Sequence, residues 1–331
     1  MTKTAAAIPQ KGAGQPTRRS RGLSGAIRDH LARSYRPDRL VLIAFVIPSI
    51  AYIGIFFAYP LYKDIMMSIE NYGFNALAAG HGPFVGLANY RAMLSTGDTL
   101  RAALNTIGFT LGSIIFQFGI GFGMALYLNT GFGFATFLTR LLLIPYVLPL
   151  VATGTIFSLV FATSNGLANE MLQSFGLIHT PISWFTNGIV ATGVITAANV
   201  WAGIPFNAVM LYSGLQDVPK DLIEAASVDG ANAWQRFRRV TVPCMRPVIL
   251  IVLMLGVVYT VRAFDLVIIL THGGPLNETQ LLSSWAYTQA FDFLDFGTGA
   301  AVGNILLVFC FMVGLVYIRV SRAGADAGGR K

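Results

Sequence analysis

The sequence predicts an all-α integral membrane protein with six transmembrane helices. Of its 331 residues, 54% are hydrophobic and only 11% are charged, and the mean hydropathy is +0.62. Soluble domains are usually about 45–50% apolar, so the composition already favours a membrane protein. Six apolar stretches reach the roughly 20 residues that a helix needs to cross a hydrocarbon layer.

Each of the six stretches is expected to be helical, because lipid offers the backbone no hydrogen-bond partner. Internal prolines predict kinks in some of them, since proline lacks the N–H that the helix requires. The predicted spans are 41–62, 103–128, 138–162, 187–214, 247–270 and 297–318, with prolines at 48, 145, 149 and 205.

The distribution of Lys and Arg predicts which side of the membrane each connection faces. With the N-terminus placed inside, the inner segments hold nineteen basic residues and the outer segments three. Cytoplasmic loops carry the excess of Lys and Arg, so both termini are predicted to be cytoplasmic. Residues 1–40 are expected to form a disordered basic cytoplasmic tail, and 321–331 a second cytoplasmic tail. Because the basic residues lie mainly in the tails and inner connections, they form no basic face on a folded domain, which argues against nucleic-acid binding.

Four glycines of the second span, Gly108, Gly112, Gly119 and Gly123, fall within a ~60° arc of one helix face. Small residues in such a seam let another helix approach closely. The seam is therefore expected to pack against a neighbouring helix.

Residues 217–247 form a polar connection between two apolar runs, on the predicted cytoplasmic side. Pro219 suits a first helical turn, and Asp217 or its neighbour is expected to cap that turn. The glycine of Asp229-Gly230 favours a reversal, because it tolerates a left-handed backbone. A second short helix is expected to follow and to stop at Pro243. The pattern predicts a helix–turn–helix element, which we call the bracket.

The residue spacing in the bracket resembles the EAA loop of ATP-binding-cassette importer permeases. In that family the loop docks into a cleft of the cytoplasmic ATPase and transmits nucleotide-driven closure to the membrane helices. The resemblance implies an ATPase-coupling role, in which small side chains seat closely against the partner. The matching residues are Glu224, Ala225, Ala226, Asp229, Gly230, Ala231, Phe237 and Pro243, followed by Pro247.

Three further stretches resemble carbohydrate-type permeases of the maltose/glycerol-phosphate class: FVGLANYRAML (84–94), VWAGIPFNAVMLYSGLQDVPKDLIEAA (200–226) and LTHGGPLNET (270–279). The resemblance implies the type I importer permease fold over 41–320, with a core at about 101–318. It implies that the protein lies in a bacterial inner membrane, in contact with lipid. The implied partners are a second permease subunit, two ATP-binding cassette subunits and an extracytoplasmic solute-binding protein. The implied function is ATP-driven import of a sugar or related polyol.

Polar residues inside the predicted spans are candidates for the translocation path, because burying them in lipid is costly. Arg262 and Asp265 are three apart, so they are expected to share a helix face, either as a structural ion pair or as a polar wall of the path. Trp201 fits core packing as well as a sugar platform, and Asn207 fits repair of a kink at Pro205. Amides and aromatic faces together suit a neutral, hydroxyl-rich solute. The candidates are Asn199, Trp201, Asn207, Tyr259, Arg262, Asp265 and Asn304.

Nothing in the sequence predicts catalysis, a metal or a cofactor in this chain. The four histidines are scattered and the two cysteines lie in different settings, so neither metal-ligand spacing nor a disulfide framework results. No G-x-x-x-x-G-K-[ST] phosphate loop occurs. We therefore expect no enzyme activity, with ATP hydrolysed by a separate partner subunit.

Three alternatives stay open. The same machinery can import a non-sugar solute such as glycerol-phosphate or a polyamine, although an anion path should hold more intramembrane cations than Arg262. An ion-gradient-driven carrier is a rival, but such carriers often have repeated halves with broken helices, and no clear repeat is present. A non-transporting scaffold would leave the bracket without a purpose.

Overall fold

A computed structural model describes residues 39–131 and 133–328, and within these ranges the chain is almost entirely helical. This confirms the predicted all-α class. The predicted tail at 1–40 lies almost wholly outside the described residues, whereas 321–328 continues the last helix. The helices are α1 Arg39–Ile53, α2 Tyr59–Ser68, α3 Phe74–Ala79, α4 Ala88–Ser95, α5 Gly97–Asn129, α6 Ala135–Val147, α7 Leu150–Val160, α8 Leu167–Ser174, α9 Gly188–Gln216, α10 Lys220–Val228, α11 Ala233–Arg236, α12 Val242–Val261, α13 Asp265–Leu270, α14 Leu282–Tyr287 and α15 Phe296–Gly328.

The described chain divides into two compact units, one ending at Leu61 and the other beginning at Tyr62. In the first unit, α1 contains Pro48 and runs into a π-helical turn at Gly54–Ala58, and the described side chains from Ile43 onward are exposed. The second unit holds the candidate sites. The limits predicted for the membrane domain, 41–320, stay a prediction.

Within the described residues, five helices are long and apolar enough to cross a membrane, and the bent pair α6–α7 makes a sixth crossing if it counts as one span. The two helices of that pair meet at an angle of 100°. The third predicted span is therefore broken rather than kinked. Pro149 explains the break, because a proline pushes the preceding residue to extended backbone, and Leu148 has ψ 130°.

The fifth span differs from its prediction at both ends. Expected at 247–270, it covers Ala233–Val261, and Asp265–Leu270 forms a separate short helix. Pro243 does not stop the preceding helix, because a π-helical turn at Phe237–Thr241 comes directly before it. In such a turn the backbone bonds reach five residues back, which leaves room for the proline ring. The expected stop at Pro243 is wrong.

The core of the second unit lies where α5 and α9 pack along each other. The two helices lie close together at Gly121, where an added Cβ would lie 2.5 Å from the Cβ of Asn207. The predicted glycine seam forms little of this contact: within the described chain nothing lies within 4 Å of a Cβ added at Gly108, Gly119 or Gly123, and at Gly112 the nearest atom is Cγ2 of Thr196, at 3.7 Å. The expectation that the seam packs against a neighbouring helix stays a prediction.

Two apolar clusters connect the helices around this pair. One cluster, with Phe109, Ile195 and Leu266 at its centre, joins α5 and α9 to α13. The other, centred on Leu211 and Met245, joins α9 to α12 at the end where the bracket begins. The two clusters hold the opposite ends of α9 against different neighbours.

Candidate functional site

A cavity of about 590 Å³ opens between α5, α9, α12 and the break between α6 and α7. Aromatic and small residues make up much of its wall, including Tyr146, Phe206, Phe264, Gly203 and Gly256. The structure brings five of the seven candidate path residues to this wall. They are Asn199, Asn207, Tyr259, Arg262 and Asp265.

Gln117 also lines the cavity, although it is not among the candidates from the sequence. Its side chain is only 4% exposed, and its Nε2 donates to the carbonyl oxygen of Asn199 at 2.9 Å. The Nδ2 of Asn199 donates in turn to Oγ1 of Thr260 at 3.5 Å. These bonds link α5, α9 and α12 beside the cavity. The sequence feature that could have identified Gln117 is a polar amide in the middle of an apolar span.

The amide of Asn207 faces its own helix. Its Nδ2 donates to the carbonyl oxygen of Gly203 at 2.9 Å. Pro205 lacks an N–H and so removes the usual donor from a different carbonyl, that of Trp201. Asn207 therefore does not replace the bond that the proline removes, and the kink-repair interpretation is wrong in that form.

Arg262 and Asp265 reach the cavity from a break in the chain rather than from one helix. Arg262 is the residue that caps the end of α12, and Asp265 is the first residue of α13. No ion pair joins the two side chains in the described part of the chain. The expectation that they share a helix face is wrong, because the predicted fifth span ends between them.

Trp201 and Asn304 lie away from this cavity. Trp201 lines two apolar cavities on another face of α9, with its ring 6.0 Å from that of Phe157. Asn304, on α15, is 7% exposed, and its Nδ2 has no hydrogen-bond partner among the described residues. The path role of both residues stays a prediction.

The bracket folds as two short helices with a tight turn between them. Helix α10 ends with two backbone bonds, from the N–H of Ala231 to the carbonyl of Ala226 at 3.0 Å and from Gly230 to Ser227 at 3.1 Å. This pair of bonds needs a left-handed residue, and Gly230 has φ +79°. Gly230 thus sets the angle at which the chain leaves α10.

The second helix of the bracket begins at a complete capping box. Asn232 Oδ1 accepts from the backbone N–H of Gln235, and Gln235 Oε1 accepts from the N–H of Asn232, both at 2.9 Å. The start of α10 has no such cap: its N-cap is Pro219, without a side-chain bond. The expected cap by Asp217 is wrong, because that residue ends α9 instead.

The outer surface of the bracket carries small, acidic and apolar side chains. Glu224, Ala225 and Asp229 are exposed, and so are the larger side chains of Val228 (88%) and Trp234 (65%). Of the other predicted coupling residues, Ala226, Ala231 and Phe237 are half-buried, whereas Gly230 and Pro243, at the start of α12, are exposed.

An aromatic contact connects this surface to α5. The ring of Phe237 lies 5.5 Å from that of Trp234 and 5.6 Å from that of Phe122. On the other arm, Ile223 packs against the cluster around Leu211 and Met245. Displacing the bracket would therefore push on α5, α9 and α12 together.

Replacing Asn232 with alanine should lower the free energy of unfolding by about 1 kcal/mol, because the N–H of Gln235 loses its acceptor. Thermal denaturation of the detergent-solubilised protein measures the change. Asn232→Asp keeps an acceptor at the same place and should denature like the parent. An equal fall for both variants would contradict the capping role.

Broken membrane helices around a cavity with both polar and aromatic lining residues, joined to an exposed bracket, are typical of a multi-pass transport permease. The chain belongs to the family of binding-protein-dependent transport system inner membrane components, whose model matches residues 117–323. This confirms the resemblance seen in the sequence. As a member of this family, the chain is an inner-membrane transport component.

Individual relatives match over most of the chain. The trehalose/maltose transport system permease protein of Thermococcus litoralis is 30% identical, over 85% of this chain and 93% of that protein. The sulfoquinovosyl glycerol transport system permease protein of Agrobacterium fabrum is also 30% identical, over 86% of this chain and 91% of its own length. The fold matches a solved bacterial ABC transporter for the acidic polysaccharide alginate with a TM-score of 0.74, at 22% identity, over 89% of this chain and 99% of that one. The predicted importer permease fold is thereby confirmed.

Proposed function

We propose that this chain is the membrane-spanning permease subunit of an ATP-driven importer, which translocates a sugar or related polyol delivered by an extracytoplasmic binding protein. The observation that carries the proposal is the cavity of about 590 Å³, whose wall combines amide and hydroxyl groups with aromatic faces. A polyol needs many hydrogen bonds and one or two flat apolar surfaces. The relatives named for trehalose/maltose and for sulfoquinovosyl glycerol support the same class of solute.

The wall residues have distinct roles in this proposal. Asn199 and Gln117 supply amide groups, and the Oε1 of Gln117 accepts no hydrogen bond from the described residues, so it is free to accept one from a solute hydroxyl. Tyr259 supplies a ring that meets Phe206 edge-on at 5.9 Å. Arg262 and Asp265 add one charge of each sign, which favours a solute of little net charge over a polyamine. Trp201 and Asn304 do not line this cavity, and their role in the path stays a prediction.

The energy comes from outside the chain. We propose that two ATP-binding cassette subunits hydrolyse ATP, that a second permease subunit completes the path, and that this chain needs no cofactor or metal. Closure of the ATPase pair moves the bracket, which carries Glu224 and Ala225 at its surface, and Phe237 passes the motion to α5. The helices then change between inward- and outward-facing arrangements. This requires the bracket and both termini to be cytoplasmic, as the distribution of basic residues predicts.

Uptake into proteoliposomes tests the proposal. The full transporter is reconstituted with the binding protein outside and ATP inside, and entry of labelled trehalose or maltose is measured. We expect uptake that stops when the binding protein is omitted or when a non-hydrolysable ATP analogue replaces ATP. Uptake driven by a sodium or proton gradient without nucleotide would overturn the ATP-driven mechanism. Uptake of glycerol-phosphate or spermidine in preference to every sugar tested would overturn the solute class.

A further inference from the structure

Three cavities follow one another along α5 and α9, and the last of them meets the solute cavity at Pro145. The first has about 540 Å³ and lies at the ends of these helices that are predicted to be external. It shares Thr192 with a second cavity of about 660 Å³, which shares Ile120, Trp201 and Ile204 with a third of about 400 Å³. The three cavities therefore adjoin one another, and we call them together the groove. Neither of the first two shares a lining residue with the solute cavity.

The first cavity is polar and carries both signs of charge. Arg101, Asn105, Asn187 and Glu278 line it. Arg101 has one hydrogen bond, from Nη1 to the carbonyl oxygen of Leu276 at 3.3 Å, and Glu278 Oε2 accepts from a backbone N–H at 3.2 Å. Arg101 and Glu278 do not pair with each other in the described structure. Each keeps donors or acceptors available for a ligand.

The rest of the groove is apolar, and it is wide because several of the residues that line it are glycines. Gly108 and Gly112 on α5 and Gly193 on α9 contribute no side chain, and nothing lies within 4 Å of a Cβ added at Gly108 or Gly193. The α5 residues that line the second cavity run from Gly108 to Ile120, which is about 18 Å along the helix axis. One leaflet of the hydrocarbon layer is about 15 Å thick. The second cavity alone is thus long enough for one acyl chain.

We infer that this groove binds a glycerophospholipid with an ethanolamine headgroup. The phosphate binds Arg101, whose planar guanidinium suits phosphate oxygens, and the ammonium group donates to Glu278. An acyl chain lies over the glycines. Charge complementarity decides for this occupant over a membrane helix of another subunit, because Arg101 and Glu278 line the cavity at the ends of α5 and α9 that are predicted to be external, and a zwitterion satisfies both charges. The inference does not depend on the solute or on the energy source.

Lipid retention tests the polar end of the groove. The full chain, purified with the subunits that accompany it, is placed in phosphatidylethanolamine, phosphatidylglycerol or phosphatidylcholine, delipidated stepwise, and analysed for retained lipid by native mass spectrometry. We expect phosphatidylethanolamine to be retained about tenfold more strongly than the other two, since it alone offers a hydrogen-bonding cation. Equal retention of all three would overturn the inference.

Variants of the two charged residues make separate predictions. Arg101→Ala should lower retention of all three lipids, whereas Glu278→Gln, which keeps an acceptor for the backbone N–H, should lower phosphatidylethanolamine to the level of phosphatidylglycerol. Arg91→Ala removes another exposed arginine outside the groove and should change nothing. If Arg91→Ala and Arg101→Ala retain the same amounts, no specific site exists.

Cross-linking tests the apolar end. A phosphatidylethanolamine with a photoreactive acyl chain should label the segments 108–120 and 193–204. Gly193→Leu fills the groove and should lower labelling about tenfold, while Gly119→Leu, also without atoms within 4 Å, should not. Labelling elsewhere would overturn the inference. So would a disulfide from Gly193→Cys to a helix of another subunit, which would show that a protein occupies the groove.

Discussion

Gly230→Val is expected to leave an importer that assembles and binds nucleotide but no longer couples ATP hydrolysis to solute. Gly230 has φ +79°, and a side chain in that conformation costs about 1–2 kcal/mol. No atom lies within 4 Å of an added Cβ, so the cost is conformational rather than steric. The turn relieves the strain by giving up the bonds that end α10, which changes the angle of the bracket. A penalty of this size shifts the population of the native bracket by roughly 5–30-fold.

Solute-stimulated ATPase activity of the reconstituted complex measures this effect, and we expect a fall of about tenfold with normal membrane insertion. Gly176→Val is the matched control. Gly176 also has positive φ, +67°, and open space around it, but it follows α8 in the connection predicted to be external. The control should carry the same local strain and keep its coupling. Equal losses in both variants would mean that strain alone, and not the bracket, is responsible.

The spans and the bracket could be predicted because they depend on physics that is local in sequence. A membrane helix must be long and apolar, and a polar residue inside it must avoid lipid, so Asn199 and Tyr259 could be selected without knowing the packing. Gly230 could be selected because a glycine directly after a helix is typical of a left-handed helix end. The sequence therefore predicts which residues are candidates, but not how they come together.

The remaining features depend on contacts between distant segments. Pro149 breaks its helix and Pro243 does not, and the difference lies in a π-helical turn that no propensity marks. The close contact between α5 and α9 is made by Gly121 and Asn207, and Gly121 does not belong to the glycine seam. The amide of Gln117 is held at the cavity wall by its hydrogen bond to the backbone carbonyl of Asn199, 82 residues away in the sequence. Such pairings are visible only once α5 and α9 are placed against each other.

Gly203→Ala is expected to impair uptake by displacing Gln117 rather than by touching the solute. A Cβ at residue 203 would lie 2.4 Å from Cδ of Gln117 and 2.6 Å from its Nε2. The amide is buried and bonded to Asn199, so it moves only by breaking that bond, which costs about 1 kcal/mol. Helix propensity returns about 0.5–1 kcal/mol, because alanine replaces glycine within α9. The protein should therefore stay folded, while the apparent KM for uptake rises about tenfold because the amide leaves its place on the cavity wall.

A double-mutant cycle separates displacement of Gln117 from a general packing defect. Gln117→Ala should raise KM to a similar extent, and adding Gly203→Ala to it should have little further effect, because the side chain that alanine displaces is already absent. Gly119→Ala, on α5, is the control, has no atom within 4 Å, and should transport like the parent. Additive losses in the double variant would contradict the mechanism, since Gly203 would then act on the cavity independently of Gln117. Non-additive losses would instead make Gln117 a residue of the path, whose amide keeps its position only because residue 203 has no side chain.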